Sequence, residues 1–210
     1  MLRFFRLNDP YRLLGVLLMM IIMALPILVI APPVTLPELK SIVIGEALNE
    51  GKEMYIKLID NTPWLAAQFH RWIELIFSRS LTARHLVALF ILFFQASFFS
   101  IILIRNKAYN ESNYFPALVF GVLCFFSFDV LSASNELFGS TCLLFALNSL
   151  FKEIEFKAQR DDTILSIGFY LGLASLFVFS YAVFLVGSIV ILFTYARLDF
   201  RKAMLLLFGF

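Results

Sequence analysis

Charge is scarce in this chain. Only 15% of its 210 residues are Asp, Glu, Lys or Arg, where soluble domains carry about 25%. Histidine is scarcer still: His70 and His85 are the only two, at no metal-ligand spacing. Their scarcity excludes the membrane di-iron oxygenases and desaturases, which need histidine clusters. Neither a phosphate-binding glycine loop, nor a Gly-x-Ser-x-Gly elbow, nor a Cys-x-x-Cys pair occurs. The two cysteines, Cys124 and Cys142, lie inside apolar runs and read as small buried hydrophobes, with a disulfide or metal pair as the minority alternative. No basic tract interleaves with aromatics, so nucleic acid is set aside as a partner. No metal or cofactor is expected.

What replaces these residues is apolar. Hydrophobic residues make up 61% of the chain, 26 of them Phe, and the mean hydropathy is +0.88. A soluble domain of this length cannot bury that much apolar surface. Membrane lipid is therefore the expected solvent, and the chain reads as an all-α, polytopic transmembrane helical bundle in a single membrane domain, 1–210. Spans are expected near 13–31, 85–104, 114–130, 137–151, 163–178 and 181–196. The first follows Arg3 and Arg6 like a signal peptide, but it is long for one and Pro32-Pro33 follows where a cleavage site would stand. The charge-free stretch Thr163–Ala196 is too long for one span and is expected to turn near Phe179-Ser180-Tyr181. The apolar run Ala203–Phe210 reads as a truncated seventh span, which suggests the N-terminal part of a longer protein.

Positive charge sets the orientation. Arg3, Arg6 and Arg12, then Arg105 and Lys107, then Lys152, Lys157 and Arg160, then Arg197, Arg201 and Lys202 all fall on one side of this span pattern. The turn at 131–136 has no Lys or Arg. The N-terminus is thus expected on the cytoplasmic side of the membrane.

The first outer loop, 32–84, carries more pattern than a linker. Leu36, Leu39, Val43 and Ala47 recur at helical spacing. Thr62-Pro63 reads as a helix start, with Thr62 as cap and Pro63 in the first turn. Leu65, Phe69, Trp72 and Ile76 then form an apolar stripe beside Trp64, as in an amphipathic helix lying in the membrane interface. The alternative is a stripe packed on the ends of the spans.

Polar groups with chemical potential gather on this same side. Asp60, Asp129 and Glu136 are candidate general bases, and Arg71, Arg79 and Arg84 are candidate partners for a phosphate. The competing interpretation is that Asp129 and Glu136 only flank a wet hairpin turn.

The segments Asn113–Leu118, Phe126–Glu136, Leu143–Leu147 and Gly168–Phe177, with the opening Phe4–Arg12, resemble a family of uncharacterised multi-spanning inner-membrane proteins of Bacteroidota. That resemblance implies a longer protein and no assigned activity. The layout is also similar, more distantly, to glycosyltransferases of the GT-C fold and to polysaccharide polymerases. It implies catalysis at the outer face on a lipid-linked sugar, with an acid early in the first outer loop. Glu38 is the acid nearest that place, and the first Asp of the loop is Asp60. Three classes of function stand open: a subunit of a larger inner-membrane assembly, a GT-C-like transferase or polymerase, and a transporter.

Overall fold

In a computed structural model the protein is helical throughout, and no strand occurs among the described residues. The structure describes residues 11, 13–30, 34–108, 114–127, 131–156, 161–195 and 199–210. Nine α-helices are seen there: α1 (Leu13–Ile30), α2 (Leu36–Asn49), α3 (Trp64–Phe77), α4 (Leu81–Arg105), α5 (Phe115–Ser127), α6 (Asn135–Phe156), α7 (Asp161–Phe177), α8 (Val183–Tyr195) and α9 (Phe200–Gly209). Three of them, α1, α4 and α6, are long and apolar enough to cross a membrane. The helices α5, α7 and α8 fall short of that length, although a 3-10 turn at Phe179–Ala182 leads into α8 where the break in the long apolar run was expected.

The chain divides into two compact units, one ending at Leu137 and the other running from Phe138 to Phe210. In the first, α1 packs on α4 and α5 through Val16, Met20 and Ala24, one stripe at i, i+4, i+8. The remainder of α1 is largely apolar and exposed: Val29 and Ile30 stand about three-quarters open. The helix runs through Pro26, whose missing N–H costs it one hydrogen bond.

The helix α2 begins at Thr35, whose backbone N–H donates to the Glu38 carboxylate at 3.0 Å. It stops at Gly51, which takes φ +81°, a left-handed conformation that a side chain disfavours. After the 52–62 loop, α3 starts one residue later than expected. Pro63, not Thr62, occupies the cap position, and the Thr62 hydroxyl donates to Asp60 at 2.6 Å.

Helices α2 and α3 lie very close together. A Cβ on Gly45 would come within 2.8 Å of the His70 carbonyl oxygen. Ile44, Leu48 and Ala67 form the small apolar contact between them, with Met54 and Leu58 of the loop alongside. Much of the two stripes singled out on these helices faces outward, with Leu65 and Phe69 half-buried. Leu36, Leu39, Val43, Trp72 and Ile76 are all exposed, and of the α2 stripe only Ala47 is buried. Buried in their place are Ala66, Ala67, His70, Ile73 and Glu74 of α3.

The second unit has an apolar core. Ala146 and Leu150 of α6, Ile164, Ile167 and Leu171 of α7, Leu192 of α8 and Leu206 of α9 pack into one cluster. The α7–α9 crossing is made by glycine. Gly168 and Gly209 each meet the other helix's backbone so closely that a Cβ on either would collide with a carbonyl oxygen, that of Leu206 or Leu165. Two ion pairs also bind α9 in this unit, Arg201–Asp161 at 2.6 Å and Lys202–Glu153 at 3.5 Å, the latter buried.

Candidate functional site

Polar side chains concentrate in the first unit, on the buried sides of α3 and α4, which are ordinarily apolar. Helix α4 starts at Leu81, with the Ser80 hydroxyl accepting from the Ala83 N–H at 3.3 Å. That early start places Arg84 and His85 in its opening turns, where the expected span boundary had left Arg84 in the loop. Both are buried, at 4% and 8% exposure. About three turns further along the helix, Gln95 is fully buried and its Nε2 donates to the Leu137 carbonyl at 2.7 Å.

Arg84 forms an ion pair with Glu74, and both side chains are shielded from solvent. The Nε and Nη1 atoms of Arg84 have no hydrogen-bond partner among the described residues. The pair ties α3 to α4, and breaking it would leave one charge buried alone. His85 Nδ1 donates to the Leu131 carbonyl at 3.0 Å, with a Glu38 carboxylate oxygen 3.8 Å from the same nitrogen. His70 Nε2 donates to Asn135 Oδ1 at 2.6 Å, linking α3 to the start of α6. Burial pushes the His70 pKa down to about 4; the Asn135 hydrogen bond opposes this and the Arg84 charge adds to it. His70 is therefore a neutral imidazole at neutral pH.

Between these elements lies a cavity of about 280 Å³. One wall is a face of α2 carrying Leu36, Pro37 and Ile44 together with Lys40 and Ser41. The opposite wall is the segment Ser132–Glu136, and Thr62 and His70 complete the lining. Lys40 forms an ion pair with Asp60 at 2.8 Å.

The candidate residues named from sequence separate on this geometry. Glu136 lines the cavity. Asp60 borders it through Lys40 and Thr62, which both bond its carboxylate. Burial raises the Asp60 pKa, but the hydrogen bonds from Lys40, Thr62 and the Asn61 N–H outweigh it, leaving the group below its usual 3.8. A carboxylate held ionised by three donors suits an anchor for Lys40 better than a general base. Asp129 lies outside the described residues. Arg84 is committed to Glu74, and Arg71 donates to the Asn49 side chain at 3.3 Å. Arg79 forms a two-armed, exposed pair with Glu46; that hydrogen bond holds the Glu46 carboxyl below its ordinary value. None of the three arginines lines the cavity.

Several residues of the site carried no singular signal in the sequence. Glu74 falls off the stripe of Leu65, Phe69, Trp72 and Ile76, and Lys40 and Ser41 belong to no motif. Gln95 had a readable signal, a lone amide in the apolar run 85–104. Among the described residues no three His, Cys, Asp or Glu side chains come together as metal ligands, and Cys124 and Cys142 are both free thiols. Comparison with protein families, curated proteins and solved structures finds no match to this chain.

Proposed function

We propose that this chain is a multi-spanning protein of the bacterial inner membrane whose first outer loop builds a binding roof on the periplasmic side, and that it works as a subunit of a larger membrane assembly. In this reading the N-terminus is cytoplasmic and there are six spans. The shorter helices α5, α7 and α8 cross with local thinning of the bilayer, and α9 begins a seventh. The membership that fits is the uncharacterised Bacteroidota family the sequence resembles.

The observation that carries the reading is the arrangement of α3. Trp64, Trp72, Leu75 and Ile76 are each more than half exposed on α3, while His70 and Glu74 are buried. Water would favour the opposite arrangement, whereas an interfacial lipid environment stabilises this one.

Cysteine labelling in intact cells tests it. With Cys124 and Cys142 replaced by Ala, a Lys52→Cys variant should react with a membrane-impermeant maleimide added from outside. A Lys107→Cys variant should react only after the cells are permeabilised. The reverse pattern, or labelling of both from outside, would reject the topology.

A GT-C-like transferase acting on a lipid-linked sugar is the second reading. What favours it is that Glu38, Asp60 and Glu136 belong to the surroundings of one cavity that the roof helices help to form. Conversion of a radiolabelled lipid-linked sugar by the purified protein, lost on Glu38→Gln or Glu136→Gln, is the result this reading requires.

A further inference from the structure

The cations of the 32–84 segment differ in what they meet. Lys40 pairs with Asp60 at 2.8 Å, Lys52 with Glu50 at 2.7 Å, Arg79 with Glu46, and Arg84 with Glu74. Arg71 and Lys57, the other two, meet no carboxylate among the described residues. Lys57 stands on the 52–62 loop. Arg71 stands on α3, at the edge of the exposed face that carries Trp64, Trp72, Leu75 and Ile76. Trp64 lies two turns before Arg71 and Leu75 one turn after it, so the three share one strip of the helix surface.

What Arg71 does meet fixes it in place. Its Nε donates to the Asn49 side-chain oxygen at 3.3 Å, and Asn49 Nδ2 donates back to the Arg71 carbonyl at 3.5 Å. Asn49 is the last residue of α2, so a second helix braces the half-buried guanidinium before any ligand arrives. The terminal nitrogens Nη1 and Nη2 have no hydrogen-bond partner among the described residues. They present four N–H donors in one plane. A neutral amide leaves the positive charge of Arg71 uncompensated, and at a membrane surface an anion stabilises it. Phosphate fits the planar end of a guanidinium through two parallel hydrogen bonds.

The neighbours on α3 suit the rest of a lipid. Trp rings favour the headgroup level of a bilayer, and Leu75 and Ile76 extend the strip with aliphatic surface. A zwitterionic headgroup carries its own ammonium, which competes with Arg71 for the phosphate, whereas an anionic headgroup brings no such competitor. We propose that Arg71 and the exposed face of α3 bind an anionic phospholipid of the adjoining leaflet. Its phosphate sits on Nη1 and Nη2 of Arg71, and its acyl chain runs along Trp72, Leu75 and Ile76. The inference rests on the reading of α3 as an interfacial helix and adds the class of lipid that the helix selects.

Trp64 and Trp72 are the only tryptophans of the chain, so their emission reports on this face alone. The test reconstitutes the full chain into vesicles of equal parts phosphatidylcholine and phosphatidylglycerol, with bromine on the acyl chains of one lipid or of the other. Stronger quenching by brominated phosphatidylglycerol, equivalent to about a fivefold preference, is expected. The preference should vanish in Arg71→Gln and persist in part in Arg71→Lys, which keeps the charge without the planar fork. It should survive in Arg79→Gln, which changes the formal charge equally. Equal quenching by the two lipids would overturn the proposal and leave α3 in the interface. Absence of quenching by either would overturn the interfacial reading and the proposal with it. A preference lost equally in Arg71→Gln and Arg79→Gln would mean diffuse attraction and overturn the site. So would a preference kept in Arg71→Gln and lost in Lys57→Gln, which would move the selectivity to the 52–62 loop.

Discussion

The α2–α3 pair and the α7–α9 crossing solve the same packing problem in opposite ways. Both bring two helix backbones into close approach at a glycine, Gly45 in one and Gly168 with Gly209 in the other. The α7–α9 crossing then fills its surroundings with Ile164, Ile167, Leu171, Leu192 and Leu206. The α2–α3 pair keeps only a small apolar contact and turns His70 and Glu74 inward, toward partners on α4 and α6. One region is therefore held by dispersion and shape, which tolerate little change in volume. The other is held by paired polar groups, which tolerate little change in charge.

The largest effect that separates them is expected at the buried ion pair. Arg84→Met leaves Glu74 buried without its partner and should destabilise the first unit by about 3–5 kcal/mol. Combining it with Glu74→Leu should recover most of that loss. Denaturant unfolding followed by Trp fluorescence, which reports on Trp64 and Trp72 of α3, measures both. Equal losses in the single and double variants would mean that the pair contributes nothing specific.

Protonation of His70 should come next. Its folded pKa, about 4, lies below the ordinary 6.5, so the unfolded chain takes up the proton first as the pH falls. The stability tied to neutral His70 is complete above about pH 6.5, declines through the window below, and is fully lost as the pH drops through about 4. The full difference amounts to about 3 kcal/mol. It should be visible as a steeper loss of stability on acidification in the wild type than in His70→Gln.

In the second unit, Gly168→Ala places a methyl group against the Leu206 carbonyl, an overpacking that costs about 1–3 kcal/mol. It should be read as faster proteolysis after Arg201 or Lys202, with no change in the pH profile. Smallest of all, Arg79→Gln removes an exposed pair with Glu46 and should leave the melting temperature unchanged, since solvent screens such pairs.

Legibility in the sequence followed the same division. The apolar runs announced α1, α4, α5, α6, α7 and α8 because long runs without charge have few ways to satisfy their backbone except as helices in lipid. Their ends were less exact. Leu81 to Arg84 read as loop, yet Ser80 caps a helix that begins there, and a polar first turn looks much like a linker when its burial is unknown. The amphipathic stripe of α3 was visible through Leu65, Phe69, Trp72 and Ile76, and the helix is there. Which of its faces would be buried was not visible, because spacing describes a stripe and not what lies against it. Among the candidate residues, Glu136 lines the cavity and Asp60 borders it through Lys40 and Thr62, while Arg71 and Arg79 found exposed partners instead.

By itself, then, the sequence determined that the chain is helical and that two helices lie in the stretch between its first two long apolar runs; of the six spans expected, three correspond to helices long and apolar enough to cross a membrane. Composition and periodicity are properties of neighbours along the chain, and they suffice for that. The tertiary structure alone decided that Arg84 would meet Glu74, that His70 would meet Asn135, and that Lys40 would be neutralised by Asp60 beside Glu136. Those pairings join residues distant along the chain, and the free energy of a buried charge depends on the group placed against it.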